Sequence, residues 1–323
     1  MATRTRYAPD KGLTVRMTAT MFMLGLVFVV FVALIIGIMA YARVSAAGIV
    51  LIALIFGGGT AYISLFYSDK IALAAAGARE VTPQQEPRLH AIVDRLCALA
   101  DMDKPRVAIA PTHMMNAFAT GRNSKNSVLC VTTGMLKDEV QGGLTNEELE
   151  GVLAHELSHV AHKDVQVMTI ASLLAIVAGL LVRFAFYSEL FGGGRRGGNN
   201  NQAALLIPLI MLVSAVVYAV SFLLIRMLSR YRELAADRSG ALLTGQPSAL
   251  ASALVKVSNS MQRIPTQDLR KQEPLNAFYF TPALKPNGQS LGNIFSTHPS
   301  LEKRLAELAK IQRQLGQITP DKQ

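Results

Sequence analysis

The sequence predicts a mainly α-helical membrane protein of several spans, with a small β-sheet in an α+β domain outside the bilayer. Three observations carry this expectation. Of 323 residues, 51% are hydrophobic and 17% charged, which is more apolar and less charged than an ordinary soluble domain. The apolar residues gather into four long runs, each near the ~20 residues that a helix needs to cross a hydrocarbon core. Between the second and third runs, and after the fourth, amphipathic helical patterns and short β-rich segments take over.

The first run, Met17 to Tyr41, holds no charged side chain and follows Arg4, Arg6, Lys11 and Arg16. Cleavable signals have apolar stretches of only about 7 to 15 residues. This run is longer and is followed at once by a second, Ala46 to Tyr67, so the pair reads as a retained hairpin. The third, Met168 to Leu190, contains Arg183 and Glu189; the fourth, Ala203 to Ile225, has Pro208 near its start, where a helix tolerates proline best. The low-complexity "GGGRRGGNNN" between them reads as a flexible connector.

Basic residues set the orientation. With the N-terminus in the cytoplasm, the inner flanks hold Arg4, Arg6, Lys11, Arg16, Lys163, Arg226, Arg230 and Arg232, and the outer loops only Arg43, Arg195 and Arg196. Both termini are then cytoplasmic. The expected organisation is a tail and first hairpin over 1–67, the first part of a cytoplasmic domain over 68–167, a second hairpin over 168–225, and the rest of the domain over 226–323.

The net charge of +10 is spread along the chain and flanks the apolar runs, so the lipid bilayer, through its anionic headgroups, explains it and no nucleic-acid partner is expected. Cys97 and Cys130 form no zinc-knuckle or disulfide pattern and read as packing residues.

In the first cytoplasmic part, "QQEPRLHAIVDRLCALADM" places Leu89, Ile92, Val93, Leu96 and Leu99 at helical spacing, with Pro87 suited to the first turn. "RVAIAP", "NAFATG" and "SVLCVTT" read as a small sheet. Thr145 and Glu148 have capping-box spacing. No proline, and no glycine between Gly151 and Gly179, interrupts the helix they start, so it is expected to run on into the third apolar run. The fourth run continues as helix through "RMLSRYRELAADRSGALLTG". Residues 263 to 297 read as a long loop, and Pro299 to Gln314 as a last helix.

His155 and His159 are four positions apart, so on a helix they share one face and can point both imidazoles at one ion. Glu156 falls beside them. In this H-E-x-x-H arrangement two histidines hold zinc and the glutamate is general base toward the water that the metal activates. A polar stripe on a helix is the plain alternative, but Val152, Leu153, Leu157 and Val160 flank the polar residues as in a helix lining a cleft. His162 is also on that face. It lies roughly 10 Å along the axis from His155, too far to share an ion whose ligand distances are about 2 Å.

A catalytic zinc takes three protein ligands and leaves a position for water. His159 lies nine residues before Met168, and Glu233 eight after Ile225. In an antiparallel hairpin projecting into the cytoplasm both emerge about 12 to 14 Å from the membrane boundary, so Glu233 can reach the same ion. Asp237, one turn farther, suits accepting an N–H from a ligand imidazole. A solvated helix face with i,i+4 charges is the other reading of "RELAADR".

Taken together, "GVLAHELSHVAHKDV", "SRYRELAADRSGA", "NAFATG" and "FSTHPSLEKRL", around two apolar hairpins, resemble the HtpX-like branch of membrane-bound zinc endopeptidases, which is related to the CAAX prenyl proteases. The resemblance implies a zincin-like (gluzincin) catalytic domain, with His155, His159 and Glu233 on one zinc ion, Glu156 as catalytic base and Asp237 behind a ligand. It implies protein substrates, misfolded or damaged membrane proteins among them, cleaved at the cytoplasmic face of a bacterial plasma membrane in quality control and stress response. It also brings in His298 as donor to the developing oxyanion, Arg304 as partner of Asp237, and Asn116, Ala117, Phe118 and Ala119 as an edge strand for a substrate backbone. Packing roles are the alternatives for these last residues.

Two further readings compete. An intramembrane protease would bury the motif in lipid, yet Glu147, Glu148, Glu150, Lys163 and Asp164 crowd it, and each charge there costs a few kcal/mol or more. A scaffold without peptidase activity would use zinc only to staple two helices, which favours four protein ligands and leaves Glu156 without purpose.

Overall fold

The computed structural model describes residues 11–41, 53–137, 143–192, 201–262 and 298–317. The connector at 193–200, the loop at 263–297 and Arg4, Arg6 and Arg43 lie outside them. The described parts fall into two compact units, one built from Val15–Ser64 and Val167–Leu228, the other mainly from Leu65–Gln166 and the chain from Ser229 onward.

The apolar runs make the first unit. Helix α1 spans Lys11–Tyr41, and a π-helical stretch, Ala53–Gly58, leads into α2, Gly59–Ala75. Helices α5, Asp164–Gly192, and α6, Asn201–Thr244, complete the set. Among the described residues, three segments are long and apolar enough to cross a membrane: Lys11–Ile38, Asp164–Arg183 and Pro208–Thr244. The second expected run begins among residues outside the described ones, and its described part is helical. Leu24, Phe31 and Ile35 of α1 pack with Leu174, Ala178 and Leu181 of α5 and Leu224 and Leu228 of α6. Phe22, Leu26, Val29, Ile36, Leu212 and Val216 stay exposed, the pattern of helices whose outer faces meet lipid. Two hydroxyls on these helices bond back to their own backbone, Thr20 to the Arg16 carbonyl at 2.8 Å and Ser221 to the Val217 carbonyl at 2.7 Å, which satisfies each donor within its helix.

The second unit is helical with a mixed sheet. Helix α3 is Pro87–Ala100, starting at its proline, and the strands are β1 Arg79–Glu80, β2 Arg106–Ala110, β3 Ala117–Gly121 and β4 Ser127–Thr132. Their order is β1-β2-β4-β3, with β2 parallel to β4 and β3 antiparallel to it. Strand β1 was not expected, since two residues carry no readable alternation. The period-two pattern of β2 and β4 buries both faces: Val107, Ile109, Leu129 and Val131 face the main core, while Ala108, Ala110, Val128 and Cys130 meet Ala72 on the other side. Helix α4, Asn146–Ala161, runs through that core against β3, with α7, Pro247–Gln262, beside it and α8, Leu301–Gln317, beyond.

Two expectations need correction. The helix opened at Thr145 does not run on into the third apolar run. It ends at Ala161, Lys163 adopts the left-handed conformation at φ 56°, and α5 begins at Asp164. Such a conformation costs a non-glycine residue about 1 to 2 kcal/mol. It is held here because Asp164 reaches back to His159, at 2.5 Å, and pairs with Arg232. Pro208 lies inside α6, not at its start; helix within apolar surroundings persists across the lost hydrogen bond because neighbouring groups can compensate for it.

Candidate metal centre

Helix α4 is anchored at both sides of its start. The Thr145 hydroxyl accepts the Glu148 N–H at 3.2 Å while the Glu148 carboxylate accepts the Thr145 N–H at 2.9 Å, the reciprocal capping box that its spacing predicts. Glu148 also receives Ser252 Oγ at 2.6 Å and Lys256 Nζ at 2.8 Å from α7. Burial works against its charge, yet these donors hold its carboxyl below the usual carboxylate range.

Close backbone approach sets what α4 faces. A Cβ on Gly240 of α6 would sit 2.9 Å from the His155 nitrogen, and one on Gly151 of α4 3.2 Å from the α7 backbone at Leu250. Only glycine at position 240 lets α6 lie this near His155. One and two turns back along α6, Asp237 and Glu233 are delivered to the same place.

There, the Nε2 atoms of His155 and His159 are 3.2 Å apart. The Glu233 carboxylate lies 3.8 Å from His155 Nε2 through one oxygen and 3.5 Å from His159 Nε2 through the other. One ligand atom from each of the three falls within 4.8 Å of the others. Four ligands tetrahedrally arranged at about 2.0 to 2.1 Å from an ion are separated by about 3.3 Å, close to these spacings. The outer nitrogens are engaged: His155 Nδ1 with Asp237 Oδ1 at 3.0 Å and His159 Nδ1 with Asp164 Oδ2 at 2.5 Å. With both Nδ1 atoms donating to carboxylates, the two Nε2 atoms are the ring positions that face each other, and either a proton or a metal cation between them satisfies this arrangement. The residues therefore fit a divalent metal.

Burial drives the His155 pKa down to about 4, which keeps it neutral at pH 7. At His159 burial pulls the same way, but the hydrogen bond and charge of Asp164 outweigh it and push the pKa up to about 9. A bound metal would take the place of that proton. Glu156 is buried among these groups. Its pKa is pushed up to about 8, by burial first, with the pull of His159 and the repulsion of Glu233 opposing each other. Its Oε2 accepts the backbone N–H of Ala119 at 3.1 Å. Ala119 lies on β3, which among the described residues pairs with β4 alone. Its N–H thus points off the sheet from the unpaired edge. Ala117 and Phe118 share that strand, and Asn116 just before it is tied to Thr132 by its N–H and its carbonyl.

His298 donates from Nδ1 to Glu233 at 2.9 Å. Arg304 grips Asp237 with Nε at 2.8 Å and Nη2 at 2.6 Å, a two-pronged pairing that suits guanidinium. All the residues singled out in the sequence are thus in one unit, and His298 and Arg304 reach Glu233 and Asp237 themselves. His162 is not among them, its Nε2 lying 3.4 Å from Ser239 Oγ. Sequence reasoning missed Asp164 and Arg232. Asp164 was read only as one of the charges crowding the histidine motif and Arg232 only as a basic flank of an apolar run, although Asp164 follows the second histidine by five residues and Arg232 directly precedes Glu233.

Two helix-borne imidazoles and a carboxylate from another helix, in a chain with long apolar helices, define a membrane metallopeptidase. The profile described as Peptidase family M48 matches residues 83–312, and the chain belongs to this family. It is 55% identical to Protease HtpX homolog 1 of Streptomyces coelicolor over 97% of both chains, and 50% identical to the Protease HtpX homolog of Moorella thermoacetica over 97% of this chain and 98% of that one. With the Protease HtpX homolog of Pyrococcus furiosus it shares 39% identity over 80% and 84%. Among solved structures, that of S. mikatae Ste24p aligns with a TM-score of 0.46 at 17% identity, covering 93% of this chain and 66% of that one.

Proposed function

We propose that this peptidase is a zinc-dependent endopeptidase of zincin-like, gluzincin type, with its site open to the cytoplasm. The catalytic domain is assembled from residues 68–167 and 226–323 around the second hairpin. The observation that supports this most strongly is the convergence of His155, His159 and Glu233 beside the buried Glu156. Zinc held by these three residues would polarise the scissile carbonyl and bring the pKa of a water toward about 7.

The chain's own groups do the rest. Glu156 takes the proton of the attacking water and passes it to the leaving amine; burial works to raise its carboxyl above the usual carboxylate range, which favours a group that both accepts and returns a proton. Asp237 fixes the His155 tautomer, and Arg304 fixes Asp237. His298, held through Nδ1 by Glu233, presents Nε2 as the ring position for donation to the developing oxyanion. Residues Asn116 to Ala119 pair with the substrate backbone along the open edge of β3. The relatives named as proteases support protein substrates, and the apolar helices favour substrates that lie in a membrane, misfolded or damaged membrane proteins among them.

The test uses detergent-purified full-length protein with casein as substrate. Glu156→Gln should keep about one zinc per chain and lose cleavage; Glu233→Ala should lose the zinc. Cleavage by the first variant would reject the base, and full zinc occupancy in the second would reject the ligand set.

A further inference from the structure

We propose that Asp164 and Arg232 form a positioning pair for His159, the counterpart of Asp237 and Arg304 behind His155; this rests on the reading of His159 as a metal ligand. Both residues are buried, with 5% and 6% of their surface exposed. Asp164 Oδ2 receives His159 Nδ1 at 2.5 Å and also the Arg232 guanidinium. A second arm of Arg232 donates to the Asp164 backbone carbonyl at 2.8 Å, so arginine holds both the carboxylate and the main chain that carries it. Arg232 Nε meets no partner among the described residues. The side chain is thus oriented toward Asp164 at the expense of its own full satisfaction.

A buried ion pair is a poor source of stability, because the desolvation of two charges, several kcal/mol each, offsets their attraction. Here the pair also needs Lys163 in the left-handed conformation. What the arrangement does secure is the plane and tautomer of one imidazole, the role that carboxylates play behind metal-binding histidines. Arg232 is the residue before Glu233. One side chain therefore ties the ligand on α4 to the backbone that presents the ligand on α6. The mirrored pattern, an imidazole backed by a carboxylate gripped by a buried arginine, occurs at each histidine of the trio.

The test measures zinc affinity by competition with a chromogenic chelator, in the full-length detergent-solubilised chain carrying Glu156→Gln to prevent self-cleavage. Asp164→Asn should weaken zinc binding about 10- to 100-fold and alter the visible absorption of the cobalt-substituted protein, both measured at a temperature where the metal-free form, destabilised by the unpaired Arg232 charge, is still folded. Added to His159→Ala, it should weaken binding no further, since residues acting as one unit are non-additive; a merely structural role would give an extra loss. Arg232→Lys, which keeps a charge and loses the two-armed grip, should fall between parent and Asp164→Asn, and carries the test alone if Asp164→Asn does not fold. Parental affinity in Asp164→Asn or, failing that variant, in Arg232→Lys, with His159→Ala impaired, overturns the pairing and leaves the ligand set standing. Parental affinity in His159→Ala overturns the ligand reading and the inference with it.

Discussion

Glu156 is steadied by one backbone donor, the N–H of Ala119 at 3.1 Å, and that donor lies on the unpaired side of an edge strand. Proline is accepted in such strands when its missing N–H faces away from the ladder. Ala119→Pro should therefore leave β3 paired with β4 and zinc bound, and remove the contact to Glu156. One hydrogen bond to a charged group contributes about 1.5 kcal/mol or more, so kcat on casein should fall about tenfold or more. Unchanged kcat in the folded variant would show that the contact does not matter. Residues at this scale were legible in the sequence where they act at helical spacing: His155, Glu156 and His159 lie within one turn and a half, and Glu233 and Asp237 one turn apart. Asp164 and Arg232 were not, because their partnership spans 68 positions and charges beside an apolar run read equally well as interfacial.

Helix against helix, the site depends on how near α6 comes to α4. Any side chain at position 240 must displace the His155 backbone, since a Cβ would lie 2.9 Å from its nitrogen. Overpacking of this kind typically costs 1 to 3 kcal/mol. Gly240→Ala should thus lower both the melting midpoint and the zinc affinity, and zinc affinity equal to the parent's would mean that the helices yield elsewhere. At the other end of α4, Glu148 joins the helix start to α7 through Ser252 and Lys256. Its carboxyl is held below the ordinary value near 4.3. The stabilisation is thus fully present above that pH and lost as pH falls through the lowered folded-state value. The melting-point gap between wild type and Glu148→Gln should accordingly be largest at neutral pH and shrink toward pH 3; a gap that is constant with pH would refute the ionic tie. Capping, helix spans and strand positions were readable because each follows a local pattern. The break at Lys163 was not, for it is enforced by Asp164 reaching His159 and Arg232, and no glycine or proline announces it.

Across the whole molecule, the apolar runs told of the membrane because every lipid-facing position must be apolar for the length of a span, whereas the strand order β1-β2-β4-β3 is set by tertiary packing that no run of residues encodes. The same long-range dependence governs stability. Within the unit that holds the site, His155 and His159 come from one chain segment and Glu233 from another, with α5 and the apolar length of α6 between them in sequence. An ion gripped from both segments binds the folded unit and not the unfolded chain. At a free concentration 100 times its dissociation constant such a ligand stabilises by about 2.7 kcal/mol. For a unit of this size, about 2 to 4 °C per kcal/mol converts this to roughly 5 to 10 °C. Chelation should therefore lower the melting midpoint of the Glu156→Gln protein by about that much, and zinc in excess of the chelator should restore it. In Glu233→Ala the chelator should have almost no effect, because the ion is already lost. An equal chelator-induced drop in both proteins would place the stabilising metal somewhere other than between these three side chains.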